Sequence, residues 1–321
     1  VLEGHRYYGS YLSSAIHVFG GVLTGGNGCF SVLATAKLLR EIDALQPDII
    51  HLHNLHGFNI NLSMLFRYIK KRNIRVIWTL HDCWAFTGKC AHYTDVACYK
   101  WQTHCNNCPQ IEKYPPSLFL DQSFIMFADK KKWFTSLKNL TVIPVSNWLA
   151  DEVSRSFFSK YPIVPIYNWV DHATFKNILD NDFSTRYNLE SNKFTILLVS
   201  ASWYPSDGKW QDALKLASSL PDDMQLLMVG KVGSPDLLPK NIKHIPYLNG
   251  KNELAKAYSF ADVYVHLSTE DTFGKVIAEA LSSGTPAIVY NATACPEIIG
   301  EGCGYIVEKR NTDQIKEVIY K

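Results

Sequence analysis

The sequence predicts an α/β protein with two doubly wound domains, each built on a parallel sheet that helices cover on both faces. Short apolar segments typical of strands alternate with amphipathic segments typical of helices along nearly the whole chain. This alternation pauses near residue 170 and then begins again. The chain has 321 residues, enough to bury two cores. We therefore assign one domain to 1–170 and a second to 171–321.

The elements of the first half follow from periodicity and from signals at their ends. Helical periodicity predicts helices at 31–45, 59–72 and 122–137, and Ser146-Asn147 can cap a fourth helix. Strands are predicted at 48–54, 75–81, 140–145 and 162–167. The insertion 83–119 is irregular and too long for a plain connection, so we expect it to be functional or held by a metal.

The second half repeats this alternation after a linker that begins at Asn168 and runs to about residue 180. Strands are predicted at 194–201, 225–229, 242–247, 263–267, 287–290 and 305–307, with helices between them that include 210–220 and 252–260. Strands of these lengths separated by helices favour a parallel sheet buried on both faces.

Composition and chain ends limit the function. The chain has 32 Lys and Arg residues and 30 Asp and Glu residues, so charge gives no support to a nucleic-acid partner. It has no run of 18 apolar residues that would span a bilayer. The chain opens on Val1, its first four residues lack strand character, and it stops inside a helical segment at 312–321. We therefore expect a fragment that is clipped at both ends.

An acidic loop between a buried strand and a helix is the most informative local pattern. Asp271 and Glu279 lie eight positions apart across a Phe273-Gly274 turn, and the strand 263–267 precedes them. Parallel sheets bind ligands at the carboxyl ends of their strands. Backbone N–H groups at the helix start suit a phosphate, and Glu279 can accept hydrogen bonds from a ribose. These N–H groups belong to Gly274, Lys275 and Val276. The spacing alone fits a surface helix with two solvated acids equally well.

Four further motifs precede this loop. They are DIIHLHNLHG at 48–57, VIWTLHDCWAFTG at 76–88, NWVD at 168–171 and ADVY at 261–264. In this order they resemble the retaining glycosyltransferases of family 4, whose GT-B fold has two Rossmann-like domains facing each other across a cleft. The likeness covers nearly the whole chain and is greatest to bacterial transferases of colanic-acid and other exopolysaccharide pathways. It implies transfer of a hexose, with retention of configuration, from a nucleotide diphosphate sugar (UDP or GDP) to a glycan or lipid-linked acceptor in cell-surface polysaccharide synthesis.

The resemblance assigns the donor sugar and ribose to the acidic loop. Glu279 is implied to bind the ribose. Asp271 stands where the family usually has Glu and is implied to contact hydroxyls of the donor sugar. Because Asp is one methylene shorter, either the sugar lies closer or Glu270 shares the contact. Phe273 belongs to the turn that presents these acids.

The resemblance also implies how the diphosphate is neutralised. Lys209 matches the family's lysine, whereas the position of its arginine falls near Trp203 or Tyr204, so the cationic pair is incomplete. The charge is then left to Lys209, the helix start at Gly274 and Lys275. A solvated Lys209 is the alternative interpretation.

The first domain is implied to contribute histidines. His81 ends a predicted strand, and the family places it beside the donor sugar, where an imidazole can also stabilise the leaving group. No protein nucleophile and no catalytic cofactor are implied, and catalysis is expected to be mostly electrostatic. His53, Asn54 and His56 are expected on the acceptor side. With His51 they also suggest a metal, but no acid stands at ligand spacing.

Five of the eight cysteines lie in or beside the insertion. They are Cys83, Cys90, Cys98, Cys105 and Cys108. Disulfides are rare in the cytosol, where clustered cysteines more often bind metal or stay free. The last four fit a structural zinc site, which would order a stretch expected to lack its own core, and equally fit free or redox-active thiols.

A basic patch bears on location. Five basic residues in 67–75 end a predicted helix, and Lys130, Lys131 and Lys132 are expected to extend the patch. Cations commonly stabilise helix C-termini, but the patch also suits an anionic membrane and hence a lipid-linked acceptor. We expect a cytoplasmic protein with peripheral contact at the inner face of the membrane.

Two alternative functions stay open. One is a non-catalytic nucleotide-sugar-binding fragment, which the incomplete first domain and cationic pair favour. The other is a GT-B relative such as a nucleotide-sugar epimerase. A phosphorylase is not supported, because no lysine context for pyridoxal phosphate is found.

Overall fold

The computed structural model describes residues 8–321 of the chain. The chain divides between Tyr167 and Asn168 into two compact units. The interpretation that the first four residues lack strand character lies outside the described residues. Within 8–321, no helix combines the length and the apolar character needed to cross a lipid bilayer.

The first unit is built on a three-stranded parallel sheet with strand order β1-β2-β3. Its elements are α1 (Tyr11–Thr24), α2 (Val32–Leu45), β1 (Ile49–Leu52), α3 (Leu62–Arg72), β2 (Arg75–Leu80), α4 (Ser123–Phe134), β3 (Leu140–Pro144) and α5 (Asn147–Ser154). Trp78 of β2 packs against Phe66 of α3 and Phe134 of α4, with ring centroids 5.6 and 4.8 Å away. Because the strands are parallel, their carboxyl ends lie along one edge of the sheet.

Most predicted elements of this unit are confirmed, with ends that differ by up to about three residues. The capping prediction is also confirmed, since the Ser146 hydroxyl accepts a hydrogen bond of 3.1 Å from the Leu149 N–H. The predicted insertion is irregular, apart from the short 3₁₀ turns Trp84–Phe86 and Lys100–Gln102. It does have a small core, however, because Phe86, Tyr93 and Trp101 are buried and their rings contact one another.

The predicted strand at 162–167 is wrong as a regular strand. The segment makes a single bridge, between Ile163 and Val142, and a few hydrogen bonds to the edge of β3. Pro162 and Pro165 have no N–H group to donate, so the segment cannot complete a ladder.

The second unit is built on a six-stranded parallel sheet with the order β6-β5-β4-β7-β8-β9. Its elements are α6 (Phe183–Arg186), β4 (Phe194–Trp203), α7 (Gly208–Ser218), β5 (Met224–Val232), β6 (Ile242–Ile245), α8 (Lys251–Phe260), β7 (Val263–His266), α9 (Lys275–Ser282), β8 (Ala287–Tyr290), β9 (Gly304–Val307) and α10 (Thr312–Ile319). All six predicted strands and both predicted helices of this half are confirmed.

Both faces of this sheet are buried, as the alternation along β4 shows. Leu197 belongs to the core under α8 and α9, whereas Ile196 and Leu198 belong to the core under α7 and α10. Successive side chains of a strand point to opposite faces, so an uninterrupted apolar run indicates a strand covered on both sides.

The order of the strands creates a crevice. From β4 the chain moves outward to β5 and β6, and it then returns to place β7 on the other side of β4. The connections after β4 and β7 therefore leave in opposite directions, and such a switch point is where open parallel sheets bind ligands.

Candidate active site

A cavity of about 260 Å³ lies at this switch point, at the carboxyl ends of β4 and β7. Residues in its wall include Ser200, Trp203, Lys209, His266, Asp271 and Val276. Three of the predicted donor-site residues, Lys209, Asp271 and Val276, are thus brought together although they come from two separate loops.

Lys209 stands in the first turn of α7 with its ammonium against the end of β4. Its Nζ donates a 2.7 Å hydrogen bond to the Ser200 hydroxyl and lies 3.9 Å from an Asp207 oxygen. Burial lowers the pKa of Lys209, and the nearby charges of Asp207 and Asp271 oppose that shift. An ammonium has three N–H donors, so Lys209 retains capacity for the oxygens of an anionic ligand.

The position expected for the family's arginine holds a tryptophan of the core. Trp203 is buried, and its indole N–H donates a 3.0 Å hydrogen bond to the Val229 carbonyl. Tyr204, which follows, is exposed. Neither side chain supplies a cation, so Lys209 is the one member of the family's cationic pair in the wall of the cavity.

Asp271 is held by a buried histidine. Its Oδ2 lies 2.7 Å from Nε2 of His266, and Nδ1 of the same ring lies 2.8 Å from the Tyr264 hydroxyl. Burial alone favours a neutral ring, but the hydrogen bonds to Asp271 and Cys295 outweigh it and raise the pKa of His266 to about 10. At neutral pH the carboxylate is therefore paired with an imidazolium.

The same residues form a cluster with metal-ligand chemistry. Across residues 8–321, the ligand atoms of His266, Asp271 and Cys295 are the only set of three or more that lie within 4.8 Å of one another. A protonated imidazole carries N–H on both nitrogens and has no lone pair for a metal. The hydrogen bonds of His266 therefore account for the cluster.

The turn before α9 contains the residues predicted to bind a phosphate. Gly274 caps the helix with a φ of +84°, in the left-handed region, and Phe273 is buried beneath the turn. Lys275 begins the helix, and its Nζ lies 5.6 Å from the centre of the Trp169 ring. Glu270 is partly buried but does not line the cavity.

Glu279 lies one turn into α9, outside the wall of the cavity, and is 8% exposed. Burial raises the pKa of its carboxyl, and the charges of Lys275 and Lys251 oppose that shift. Among residues 8–321 its carboxylate makes no hydrogen bond or ion pair, and the nearby Tyr258 hydroxyl is buried without a partner. Buried polar groups normally have partners, so the Glu279 carboxylate is suited to a ligand that donates hydrogen bonds.

The first unit gathers three histidines at the carboxyl ends of β1 and β2. Nδ1 of His53 lies 3.0 Å from Nε2 of His81, and the rings of His51 and His53 are 4.2 Å apart. Burial lowers the pKa of His81, and Asp82 opposes that shift while His51 adds to it. Burial and the two other rings likewise lower the pKa of His53. Both rings are therefore neutral at neutral pH and offer one donor and one acceptor each.

His56 belongs to a second group beside these rings. Its Nε2 lies 2.8 Å from an Asp82 oxygen, and its Nδ1 lies 3.1 Å from the Tyr114 hydroxyl. Burial raises the pKa of Asp82, but contacts with His56 and with the Trp84 N–H outweigh it and lower that pKa overall. Asn54 is exposed in the same loop. The histidines predicted for the acceptor side thus lie close to His81.

Comparison with known proteins identifies the family. The family model described as Glycosyltransferase Family 4 matches residues 10–174, more than half of the chain. This chain belongs to glycosyltransferase family 4. A second model, Glycosyl transferases group 1, matches residues 211–321.

Curated relatives agree with this membership. The putative colanic acid biosynthesis glycosyl transferase WcaC of Escherichia coli is 29% identical over 280 residues, which cover 85% of this chain and 67% of the relative. The N-acetyl-alpha-D-glucosaminyl L-malate synthase of Bacillus anthracis is 25% identical over 188 residues, 55% of this chain and 48% of the relative. The chain therefore spans between about half and about two thirds of these relatives.

Solved structures agree on the fold. Sucrose-phosphate synthase from Thermosynechococcus elongatus has a TM-score of 0.62 at 18% identity, over 89% of this chain and 68% of its own. Anabaena Alr3699/HepE, solved in complex with UDP-glucose, has a TM-score of 0.60 at 17% identity, over 90% of this chain and 71% of its own. At these identities the likeness shows the fold alone, and it confirms the predicted GT-B class.

Several site residues of the transferase were not predicted. His266 ends a strand whose other residues are apolar or aromatic. This pattern predicts that the strand is buried and gives no indication of a site residue. Ser200 and Thr293 hold Lys209 and the backbone of Asp271 by hydrogen bonds of 2.7 and 3.1 Å. Single short polar side chains such as these form no recognisable sequence motif. These residues belong to no motif, and some of their partners are distant in sequence. Only the folded structure shows that they lie in the site.

The predicted zinc ligands are only partly assembled in the transferase. The sulfurs of Cys90 and Cys108 lie 3.8 Å apart, and none of the eight cysteines forms a disulfide. Cys98 and Cys105 do not complete a set of four with them within 4.8 Å among the described residues.

The predicted basic patch needs one correction. Lys130 is fully buried rather than exposed, and its Nζ donates to the Trp84 carbonyl. The patch is also partly neutralised, because Arg72 forms an ion pair with Asp43. Lys70 and Lys71 at the end of α3 are exposed.

Proposed function

We propose that this family 4 transferase moves a hexose from a UDP-sugar to a glycan or lipid-linked acceptor, with retention of configuration, in cell-surface polysaccharide synthesis. The observation that carries the proposal is the group of Lys209, Asp271 and Glu279 around the switch point of the second unit. A nucleotide sugar has one part to match each residue. The anionic diphosphate matches Lys209, the hydroxyls of the sugar match Asp271, and those of the ribose match Glu279.

In this proposal each part of the donor has its own partner. Glu279, with its unused acceptor capacity, takes the ribose hydroxyls. The N–H groups at the start of α9, Lys209 and Lys275 compensate the diphosphate, because a helix N-terminus and a cation both favour negative charge. Asp271, oriented by His266, accepts hydrogen bonds from the hexose hydroxyls.

The proposed chemistry relies on this charge compensation. As the bond between the sugar and the diphosphate breaks, negative charge develops on the leaving phosphate, where the cations lower its energy. The acceptor hydroxyl attacks from the face that the diphosphate leaves, and the diphosphate takes its proton. A neutral His81 contributes a hydrogen bond to a sugar hydroxyl.

The proposal for the acceptor rests on the family resemblance and on the curated relatives. We propose that His53, Asn54 and His56 contact it, and a curated relative is named for colanic acid biosynthesis. The exposed lysines of α3 support a peripheral contact with an anionic membrane, which fits a lipid-linked acceptor.

Calorimetric titration of the chain with UDP and with GDP tests the donor site. We name UDP first because HepE has been solved with UDP. We expect UDP to bind and Glu279→Gln to weaken it about 10–100-fold, since a hydrogen bond to a charged group contributes about 1.5–3 kcal/mol. Glu301→Gln, an exposed acid of the same unit, is the matched control and should bind normally.

Two outcomes would change the proposal. Equal affinities of Glu279→Gln and Glu301→Gln would remove Glu279 from the ribose site. Tight binding of a UDP-sugar with no transfer to any acceptor would favour the alternative of a non-catalytic nucleotide-sugar-binding fragment.

A further inference from the structure

The insertion 83–119 holds two partly buried sulfurs at a distance typical of metal coordination. Sγ of Cys90 and Sγ of Cys108 are 3.8 Å apart, although 18 positions separate them in sequence. Four sulfurs that bind one zinc ion at about 2.3 Å in a tetrahedron lie about 3.8 Å from one another. A disulfide would need them about 2 Å apart.

Backbone N–H groups point at the sulfurs of the CxxC pair. The Gly88 N–H donates a 3.1 Å hydrogen bond to Sγ of Cys105, and the Gln110 N–H donates to Sγ of Cys108. Hydrogen bonds to the sulfur stabilise a thiolate and orient it toward a metal. Cys98 acts electrostatically on Cys105, which places it in the same neighbourhood.

Two lysines are buried around this group without a direct ion pair. Lys89 is 7% exposed and Lys130 is fully buried. Their ammonium groups donate to backbone carbonyls, and no acidic oxygen of residues 8–321 lies within 4.0 Å of either. Lys89 interacts electrostatically with Cys108, Cys90 and Asp121. Lys130 interacts with Cys105, Asp82 and Cys90.

Charge balance connects the lysines to the cysteines. A buried ammonium is costly unless an opposite charge compensates it. Asp121 acts on Lys89 and Asp82 acts on Lys130, each from beyond the 4.0 Å of a direct ion pair. Four thiolates around Zn²⁺ carry two net negative charges, which lysine side chains nearby stabilise. The aromatic core of the insertion explains how the segment packs, but it does not explain why two cations are buried beside cysteines.

We propose that Cys90 and Cys108 begin a structural zinc site that Cys98 and Cys105 complete when the ion binds, with Lys89 and Lys130 beside it. As the ion binds, the four thiols release their protons to solvent, and nothing is oxidised or reduced. The site would fix the loop that follows β2. That loop carries Asp82, and Tyr114 beside His56 lies in the same insertion.

Metal analysis of the purified chain, kept reduced, tests the proposal. We expect about one zinc per chain by plasma mass spectrometry and release of that zinc by a mercurial thiol reagent. Cys108→Ser should lose it, whereas Cys303→Ser, an exposed cysteine of the second unit, should keep it. Lys130→Met should weaken zinc binding about 10–100-fold, the usual effect of removing a partner outside the ligand set.

Cobalt substitution gives a readout that does not depend on the folding of a variant. Co²⁺ bound by thiolates in a tetrahedron absorbs strongly in the visible region, and we expect this band in the unsubstituted chain. The proposal is overturned if the folded, zinc-supplied chain holds well under one equivalent. It is also overturned if Cys90 and Cys108 are recovered as a disulfide, or if Cys108→Ser retains its zinc.

Discussion

At the scale of single residues, His266 and Asp271 show how a strand can support a binding loop. The ring is buried at the end of β7, with the Tyr264 hydroxyl on one nitrogen and the carboxylate on the other. Both contacts restrict its rotation, so the imidazolium determines where the carboxylate points. We therefore propose that His266 positions Asp271.

Replacing this histidine should separate sugar binding from nucleotide binding. In His266→Gln, Asp271 loses a fixed cation, and we expect about tenfold weaker binding of the UDP-sugar, with UDP affinity changed less than about twofold. Titrations with UDP and with the UDP-sugar measure the two effects. His244→Gln on β6 is the control, and equal losses for both ligands would show that His266 supports only the fold.

His17 should make the first unit sensitive to acid. It is buried in α1, its Nε2 accepts a 3.0 Å hydrogen bond from the Gly28 N–H, and its Nδ1 lies 2.7 Å from the Ser31 hydroxyl. Burial lowers its pKa to about 4. The unfolded chain has a value near 6.5, so stability is complete above about pH 6.5 and falls as the pH drops toward 4.

The expected loss is about 3 kcal/mol, because one pKa unit corresponds to about 1.4 kcal/mol. Denaturant unfolding between pH 7 and pH 4 measures it. His17→Gln should flatten this part of the dependence, whereas His104→Gln, at an exposed position, should retain it. An unchanged acid loss in His17→Gln would assign the loss to other groups.

At the scale of elements, the start of α9 depends on one glycine. Gly274 has a φ of +84°, and a Cβ there would come 2.6 Å from Cδ1 of Ile277. We expect Gly274→Ala to cost about 1–2 kcal/mol from the left-handed backbone and to weaken UDP binding as the N–H groups move. Thermal unfolding and titration measure the two effects.

Gly302 provides a matched control for this substitution. Its φ is +73°, and a Cβ there meets no atom within 4 Å. Gly302→Ala should lose similar stability and keep its UDP affinity. If both variants bind UDP normally, the helix start does not hold the diphosphate.

The sequence predicted the elements of the second unit better than those of the first. Buried parallel strands appear in a sequence as continuous apolar runs between turn residues. The sequences of β4, β7 and β8 fit this pattern, which predicts them as strands. The segment 162–167 is also apolar, but its two prolines prevent a ladder. Helix α1 was not predicted, because two glycines, Gly20 and Gly21, lie inside it and glycine has a low helix propensity.

The sequence predicted only those candidate site residues that belong to a motif or to the family resemblance. Lys209 and Asp271 lie where the motifs placed them, on the two sides of one cavity. His266 has no motif, and Lys130 fits the exposed face of a basic helix until its burial is seen. The burial of both side chains depends on contacts between segments that are distant in sequence. Local periodicity carries no information about such contacts.

At the scale of the whole molecule, the charge is nearly balanced but locally uneven. The net charge of +2 offers no general attraction to anions, so membrane contact would depend on a local patch. The exposed cations at the end of α3 form such a patch in the first unit. We expect sedimentation with phosphatidylserine vesicles to fall when Lys70 and Lys71 are both changed to Glu.

The expected loss is about 2 kcal/mol at low salt, since each lysine near an anionic surface contributes about 1 kcal/mol. High salt should remove most of the binding. Changing Lys231 and Lys240, exposed residues of the second unit, to Glu makes the same change of charge elsewhere. Equal sedimentation of the two double variants would remove α3 from the membrane contact.

Two tryptophans beside the proposed donor site provide a fluorescence signal that reports ligand binding. Trp169 is 71% exposed beside Lys275, whereas Trp203 is buried in the wall of the cavity. Indole fluorescence depends on the polarity and charge around the ring, so the two emit from contrasting surroundings. A phosphate that draws Lys275 away would change the emission of Trp169, while a ligand in the cavity would change that of Trp203. Unlabelled protein could therefore report which part of the donor has arrived.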